Sequence, residues 1–248
     1  EPDLARSYGN IAVLYRNTQR FDESEKMYKA AMAIYKRLAE TNPQAYEPDL
    51  ARSFNNLAIL YSNTQRFNES EKMLKSALDI YKRLANANPQ VYEPSLALSY
   101  NNLANMYRDT QRFSEGEKMH KSALDIYKRL SDTNPQVYEP DLAKKYYDLA
   151  SLYNDTRRYE ESEQMYKSAL DIFKRLAESN PQTYEPALAE TYNILAILYS
   201  NTQRFTESEQ MHKSTLEILK CLADSNPQVY EPYLAGSFNN LAVLYYTT

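Results

Sequence analysis

An all-α chain of stacked, antiparallel helix hairpins is predicted by three features of the sequence. The first is an internal repeat: Glu-Pro recurs at Glu1, Glu47, Glu93, Glu139, Glu185 and Glu231, every 46 residues and without one insertion. A fixed period of this length marks a solenoid, in which each repeat buries its apolar face on the next. The second is the spacing of apolar residues at Leu4, Tyr8, Ile11, Ala12 and Tyr15, then at Met27, Tyr28, Ala31, Ile34, Tyr35 and Leu38. That spacing is helical, and no run alternates as a strand would. The third is the proline punctuation between the apolar segments. Together they divide the 248 residues into a single array of repeats 1–46, 47–92, 93–138, 139–184 and 185–230 with a half repeat 231–248. Each full repeat holds a helix A and a helix B.

Taken in order, helix A is expected to open at Pro2, Pro48, Pro94, Pro140, Pro186 and Pro232, because a first-turn proline loses no hydrogen bond and already has a helical φ. It runs to about Asn17 in the first repeat. Helix B is expected to open on Asp22, Asn68, Ser114 and Thr206, each followed three residues later by Glu25, Glu71, Glu117 and Glu209, the pattern of a capping box. The fourth repeat has Glu160 at the cap position. Asn42-Pro43 and its equivalents are expected to stop helix B, since the residue before proline is driven out of the helical region, and a short Gln-x-Tyr linker would lead to the next repeat. Ala12 and Tyr15 recur in every repeat, through Ala242 and Tyr245. A residue required in every repeat serves stacking: the small ones let helices A and B approach, and Met27, Ile34 and Leu38 fill the seam to the next repeat. Glu25 and Lys29 fit an i,i+4 surface pair.

Composition narrows the function. A net charge of −4 argues against a surface that neutralises phosphates, so neither nucleic acid nor an anionic membrane is an expected partner. No stretch reaches the apolar length of a membrane helix. One cysteine, Cys221, permits no intrachain disulfide, which is compatible with a reducing compartment and favours the cytoplasm. The absence of an initial methionine and an end inside the recurring pattern predict an excerpt of a longer protein.

The run Tyr8-x-Asn10-Ile11-Ala12-x-x-Tyr15, followed by Phe21-x-Glu23-Ser24-x-x-x-Tyr28-x-x-Ala31, resembles the tetratricopeptide repeat. The resemblance extends over the whole chain, and the long helix B makes it most similar to the kinesin-light-chain subclass. Gly116 and Thr215 depart from the pattern at small positions, and His120 and His212 at an aromatic one. The resemblance implies a right-handed superhelical solenoid whose A helices line an inner groove, here with Arg6, Gly9, Asn10, Val13, Arg16 and Asn17 in the first repeat. It also implies that the recurring Asn10, Asn56, Asn102 and Asn240 grip the backbone of a bound peptide, for which an amide carries both donor and acceptor. Amides that simply solvate the face are the alternative.

Charge varies along this face. Arg6, Arg16, Arg52 and Arg108 fall in the first three repeats, Asp109, Asp148, Asp155 and Glu190 in the middle, and Ile194, Ile197, Val243 and Tyr246 in the last. The arginine half is suited to acidic peptides, although charges that only solvate the face would look the same. Arg52, Asn56, Asn102 and Lys144 match four of the five places of the family's carboxylate clamp. Asp148 occupies the fifth, where an acid repels a terminal carboxylate, so that clamp is not expected.

No catalytic, metal-binding or cofactor-binding constellation emerges. His120 and His212 share one repeat position, two repeats apart, and are read as packed side chains. Cys221 stands where Arg37, Arg83, Arg129 and Arg175 do and is read as a surface thiol, and Gly9, Gly116 and Gly236 form no phosphate loop. The expectation is a protein- or peptide-binding scaffold and not an enzyme. Two other classes fit the same residues: the sensor or regulatory arm of a larger signalling protein, and a structural spacer that assembles with copies of itself. Apolar residues at both termini, Leu4 and Ile11 at one and Leu241, Leu244 and Tyr245 at the other, predict weak head-to-tail self-association.

Overall fold

The computed structural model describes residues 1–247, and these form helices joined by tight turns, with no strand among them. In chain order the helices are α1 (Pro2–Asn17), α2 (Phe21–Thr41), α3 (Pro43–Asn63), α4 (Phe67–Ala87), α5 (Pro89–Asp109), α6 (Phe113–Thr133), α7 (Pro135–Asp155), α8 (Tyr159–Ser179), α9 (Pro181–Asn201), α10 (Phe205–Ser225) and α11 (Pro227–Thr247). The odd-numbered helices are the A helices. The chain divides into two compact units, residues 1 to 126 and residue 127 onward. Within the first, α1 to α5 pack each on the next, and within the second α7 to α11 do the same.

Helix α1 opens at Pro2 as the Glu-Pro pattern implies, but the later A helices begin earlier, at Pro43, Pro89, Pro135, Pro181 and Pro227. Asn42 is extended (φ −143°, ψ 80°) and caps α3, its Oδ1 accepting the Ala45 amide at 3.2 Å. Pro43 therefore fills the first-turn position and no linker separates α2 from α3. Pro48 lies inside α3, where its ring removes a bond to the Gln44 carbonyl. Gln44 is exposed, so water can serve that oxygen.

The expected capping box at helix B is also corrected. Helix α2 starts at Phe21 with Arg20 as its cap residue and no side-chain capping bond, which places Asp22 in the first turn. The preceding helix ends in a Schellman turn: the Arg20 amide reaches the Tyr15 carbonyl at 2.8 Å and the Gln19 amide the Arg16 carbonyl at 3.0 Å. This needs a left-handed residue, supplied by Gln19 (φ 60°), Gln65, Gln111, Arg157 and Gln203. So tight a turn leaves no residue free to cap. The acid that faces the turn is Glu23, bonded to Arg20 Nε at 2.9 Å.

The recurring residues gain specific tasks. Ala12 is fully buried, and its carbonyl accepts the Ser24 hydroxyl at 2.8 Å. Ser70 to Ala58, Ser162 to Ala150 and Ser208 to Ala196 repeat this bond at 2.9, 2.8 and 2.7 Å. Gly116 stands at the serine position of the third repeat and has no hydroxyl to give. The apolar seam forms from three successive helices, with Ala12, Tyr28, Leu57, Leu60 and Tyr61 in one cluster.

Tyr61 shows why its position does not vary. Its hydroxyl donates to Glu25 of the preceding repeat at 3.0 Å, and Arg66 stacks 4.2 Å above its ring while donating to the other Glu25 oxygen at 2.6 Å. Lys29 completes the set at 2.7 Å. The expected surface pair is thus one corner of a latch between repeats. Burial pushes the Glu25 carboxyl up, but the hydrogen bonds from Arg66, Lys29 and Tyr61 outweigh it and hold it at about 2. Glu71 with Tyr107 and Arg112, and Glu163 with Tyr199 and Arg204, repeat the latch.

At the two outermost A helices apolar side chains stand in solvent, among them Leu14 on α1 at 61% and Tyr246 on α11 at 93% exposure. Leu244, expected to lie bare, is instead buried. Tyr245 is exposed, and its hydroxyl donates to Glu209 at 2.7 Å.

Candidate functional site

In each unit the predicted site residues lie on the A helices. In the first unit, Arg52 and Asn56 lie on α3 and Asn102 and Arg108 on α5, and these two helices touch directly. Asn56 and Asn102 are half-buried and Asn10 on α1 is exposed. Each sits beside a residue that the recurring asparagine pattern alone did not single out. Asn55 and Asn101, one position earlier, are buried, and Asn55 Nδ2 donates to Ser99 Oγ at 3.0 Å. The Oδ1 atoms of Asn55 and Asn101 meet no donor in the protein. The sequence carries the doublets Asn55-Asn56, Asn101-Asn102 and Asn239-Asn240: in the first two the first member is buried and the second half-buried, whereas Asn239 is exposed.

The arginines differ in their commitments. Arg52 pairs with Asp49 one helical turn away, and Arg6 with Asp3 at 3.5 Å, both arginines remaining largely exposed. Arg16 and Arg108 are half-buried.

In the second unit the expected charges are answered locally. Lys144 is exposed with Asp141 4.0 Å away, while the buried Lys145 donates to Asp148 at 2.6 Å. Tyr147 takes the place held by Asn55 and Asn101, packs edge-on against Tyr166 with centroids 5.2 Å apart, and donates its hydroxyl to Glu190 at 3.0 Å. Burial, and then the facing Glu190 carboxylate, push the Tyr147 hydroxyl well above the ordinary tyrosine range.

A cavity of about 800 Å³ opens where α9 and α11 meet over α10, within the range of small-ligand sites. It brings together two predicted residues, Ile194 and Asn240, with Glu190 and Asn193. Asn240 Nδ2 donates to Asn193 Oδ1 at 3.1 Å. His212 lies under the neighbouring surface, buried and with its pKa lowered by that burial. Among the described residues no group of three or more His, Cys, Asp or Glu side chains could hold a metal ion, and no helix is long and apolar enough to cross a membrane.

Family models described as tetratricopeptide repeat match residues 3–83 and 141–221, and a second such model matches residues 96–135. No curated protein sequence matches the chain. Among solved structures, BtubC (BKLC) from P. vanneervenii is 24% identical over 91% of this chain and 83% of its own, with a TM-score of 0.71. A putative kinesin light chain with nearly identical TPR-like repeats, from Podosopora anserina, is 16% identical over 91% of this chain and 98% of its own, with a TM-score of 0.69. The apo form of RapI is 15% identical over 96% of this chain and 83% of its own, with a TM-score of 0.69. At these identities the likeness is one of fold.

Proposed function

Because the chain belongs to the tetratricopeptide repeat family, we propose that it is a protein- or peptide-binding scaffold whose ligand lies against the A-helix face. Arg6, Asn10, Arg16, Arg52, Asn56, Asn102 and Arg108 would hold it on the first unit. Lys144, Asp148, Ile194 and Asn240 would do so on the second. The observation that carries this reading is the pair Asn56 and Asn102. Both amides are accessible, both stand on helices in mutual contact, and neither is used in a hydrogen bond within the protein, while the adjacent Asn55 and Asn101 are packed away. An amide with free donor and acceptor can pair with a main chain of any sequence.

The arginines beside these amides favour an acidic ligand, since guanidinium groups bind carboxylates through charge-assisted bonds. Titration of an acidic peptide and its charge-reversed counterpart against the wild type and an Arg52→Glu, Arg108→Glu variant tests this. The acidic peptide is expected to bind the variant about tenfold more weakly or worse, and the reversed peptide to gain. Equal affinities in all four combinations would remove the charge argument.

Weak self-association is a second reading, supported by the exposed Leu4, Ile11 and Leu14 on α1 and Val243 and Tyr246 on α11. Sedimentation over a concentration series is expected to show a rising average mass that a Leu14→Lys, Tyr246→Lys variant loses. A strictly monomeric wild type would rule it out.

A further inference from the structure

The cavity between α9 and α11 has a cause in the sequence. At the same place in successive repeats stand Arg6, Arg52, Leu98, Lys144, Glu190 and finally Gly236. A β-carbon added at Gly236 would meet nothing within 4 Å, so the missing side chain leaves the space. The cavity is bordered by apolar and aromatic surface, including Leu219, Tyr230 and Tyr233, the two rings lying 6.4 Å apart.

Its charge is one-sided. Of the residues that line it Glu190 is the charged one, neither α9 nor α11 carries a lysine or arginine, and the lysines of α10, Lys213 and Lys220, lie outside the lining. In the second and fourth repeats the first glutamate of the A helix is tied to an arginine on helix B, Glu47 to Arg83 and Glu139 to Arg175, each at 2.7 Å. In the fifth repeat that arginine is replaced by Cys221, and Glu185, beside the cavity wall, has no such tie. Glu190 receives only the Tyr147 hydroxyl, on Oε1. Ser237, on the cavity wall, is 3% exposed, and its hydroxyl has no partner.

We propose that this cavity is a binding pocket for an arginine side chain of the peptide ligand, with the aliphatic stem against Leu219 and the tyrosine rings and the guanidinium at the Glu190 carboxylate. Aromatic faces and a carboxylate are the two partners a guanidinium favours, and the apolar wall suits its methylene stem. A lysine would meet the same charge without the planar contact on the rings. The inference rests on the reading of the A-helix face as a peptide-binding surface, and it assigns the second unit a preference opposite to that of the arginine half.

The test uses a single-residue probe, Nα-acetyl-arginine methylamide, titrated against the whole chain while the side-chain amide signals of Asn193 and Asn240 are followed by NMR. The arginine probe is expected to shift both signals saturably. The citrulline analogue, of the same shape but neutral, should bind at least about tenfold more weakly, and Glu190→Gln should impose a similar loss. Gly236→Leu fills the space and removes a helix-interior glycine, so it should abolish the shifts without lowering the melting temperature. Equal binding of the arginine and citrulline probes, or undiminished binding to the Gly236→Leu variant, would overturn the pocket. Because the probe is one residue long, its failure leaves acidic-peptide binding at Arg52 and Arg108 intact. Failure of that binding alone would instead remove the wider reading.

Discussion

Replacing Glu71 by alanine is expected to destabilise the chain by about 1–3 kcal/mol at neutral pH, the range for leaving a part-buried hydrogen-bond donor without its acceptor, since the cationic partners Arg112 and Lys75 are partly exposed and can turn to water. Glu71 accepts the Tyr107 hydroxyl at 3.0 Å and Arg112 at 2.6 Å, and pairs with Lys75 at 2.7 Å. Its loss leaves the tyrosine hydroxyl without its acceptor at the junction of two repeats. In an array where each repeat contacts only its neighbours, such a junction sets the cooperativity of unfolding.

The effect has a defined pH dependence. Hydrogen bonds, that from Arg112 foremost, lower the Glu71 carboxyl from 4.5 to about 2 in spite of its burial. A carboxyl depressed in the folded state binds fewer protons there than in the unfolded chain, so stability rises with pH across that window. The latch therefore contributes fully above pH 4.5 and fades as the pH falls toward about 2. Urea midpoints of the wild type and Glu71→Ala should lie far apart at pH 7, draw closer by pH 3 and converge only as the pH falls below about 2. A gap that stays constant would mean that Glu71 acts through packing alone. Urea is the denaturant of choice because guanidinium chloride would screen the charges.

The second large effect is expected on binding. Asn56→Ala with Asn102→Ala should weaken an acidic peptide by about 1 kcal/mol for each hydrogen bond lost, roughly thirtyfold for the pair, with little change in melting temperature. Asn55→Ala should give the opposite pattern, because its amide is buried and bonded to Ser99. If the outward asparagines cost stability and leave affinity untouched, they belong to the scaffold.

The repeat, the helices and the stacking residues were legible because they depend on period and side-chain size, both written locally. Ala12 and Tyr15 marked themselves by never varying. The helix starts were misread for a physical reason: two prolines five residues apart, Pro43 and Pro48, both suit a first turn, and the exposed Gln44 carbonyl makes the interior one tolerable. The capping box failed because the left-handed residue of the turn is Gln19, which carries no mark of its conformation as a glycine would.

The site was legible in part. The recurring asparagines lie on the A helices as the sequence pattern implied, but whether Asn55 or Asn56 packs inward depends on how closely α3 and α5 approach, which spacing along one helix does not encode. The latch was half seen, as Glu25 with Lys29, because its other half comes from Tyr61 and Arg66 in the next repeat. Gly236 was visible as a glycine, yet its meaning needed the volume that an absent side chain leaves between two helices.

The proposed function places ligand contact on the A helices. It is tested most directly by the side-chain amide spectrum of the isotopically labelled chain with and without a saturating acidic peptide. Asparagines on both helix types report at once: Asn56 and Asn102 on α3 and α5, against Asn68 and Asn86 on α4. Shifts at Asn56 and Asn102 with unmoved signals from Asn68 and Asn86 are the predicted result. Shifts confined to Asn68 and Asn86 would place the ligand on the B helices and contradict it.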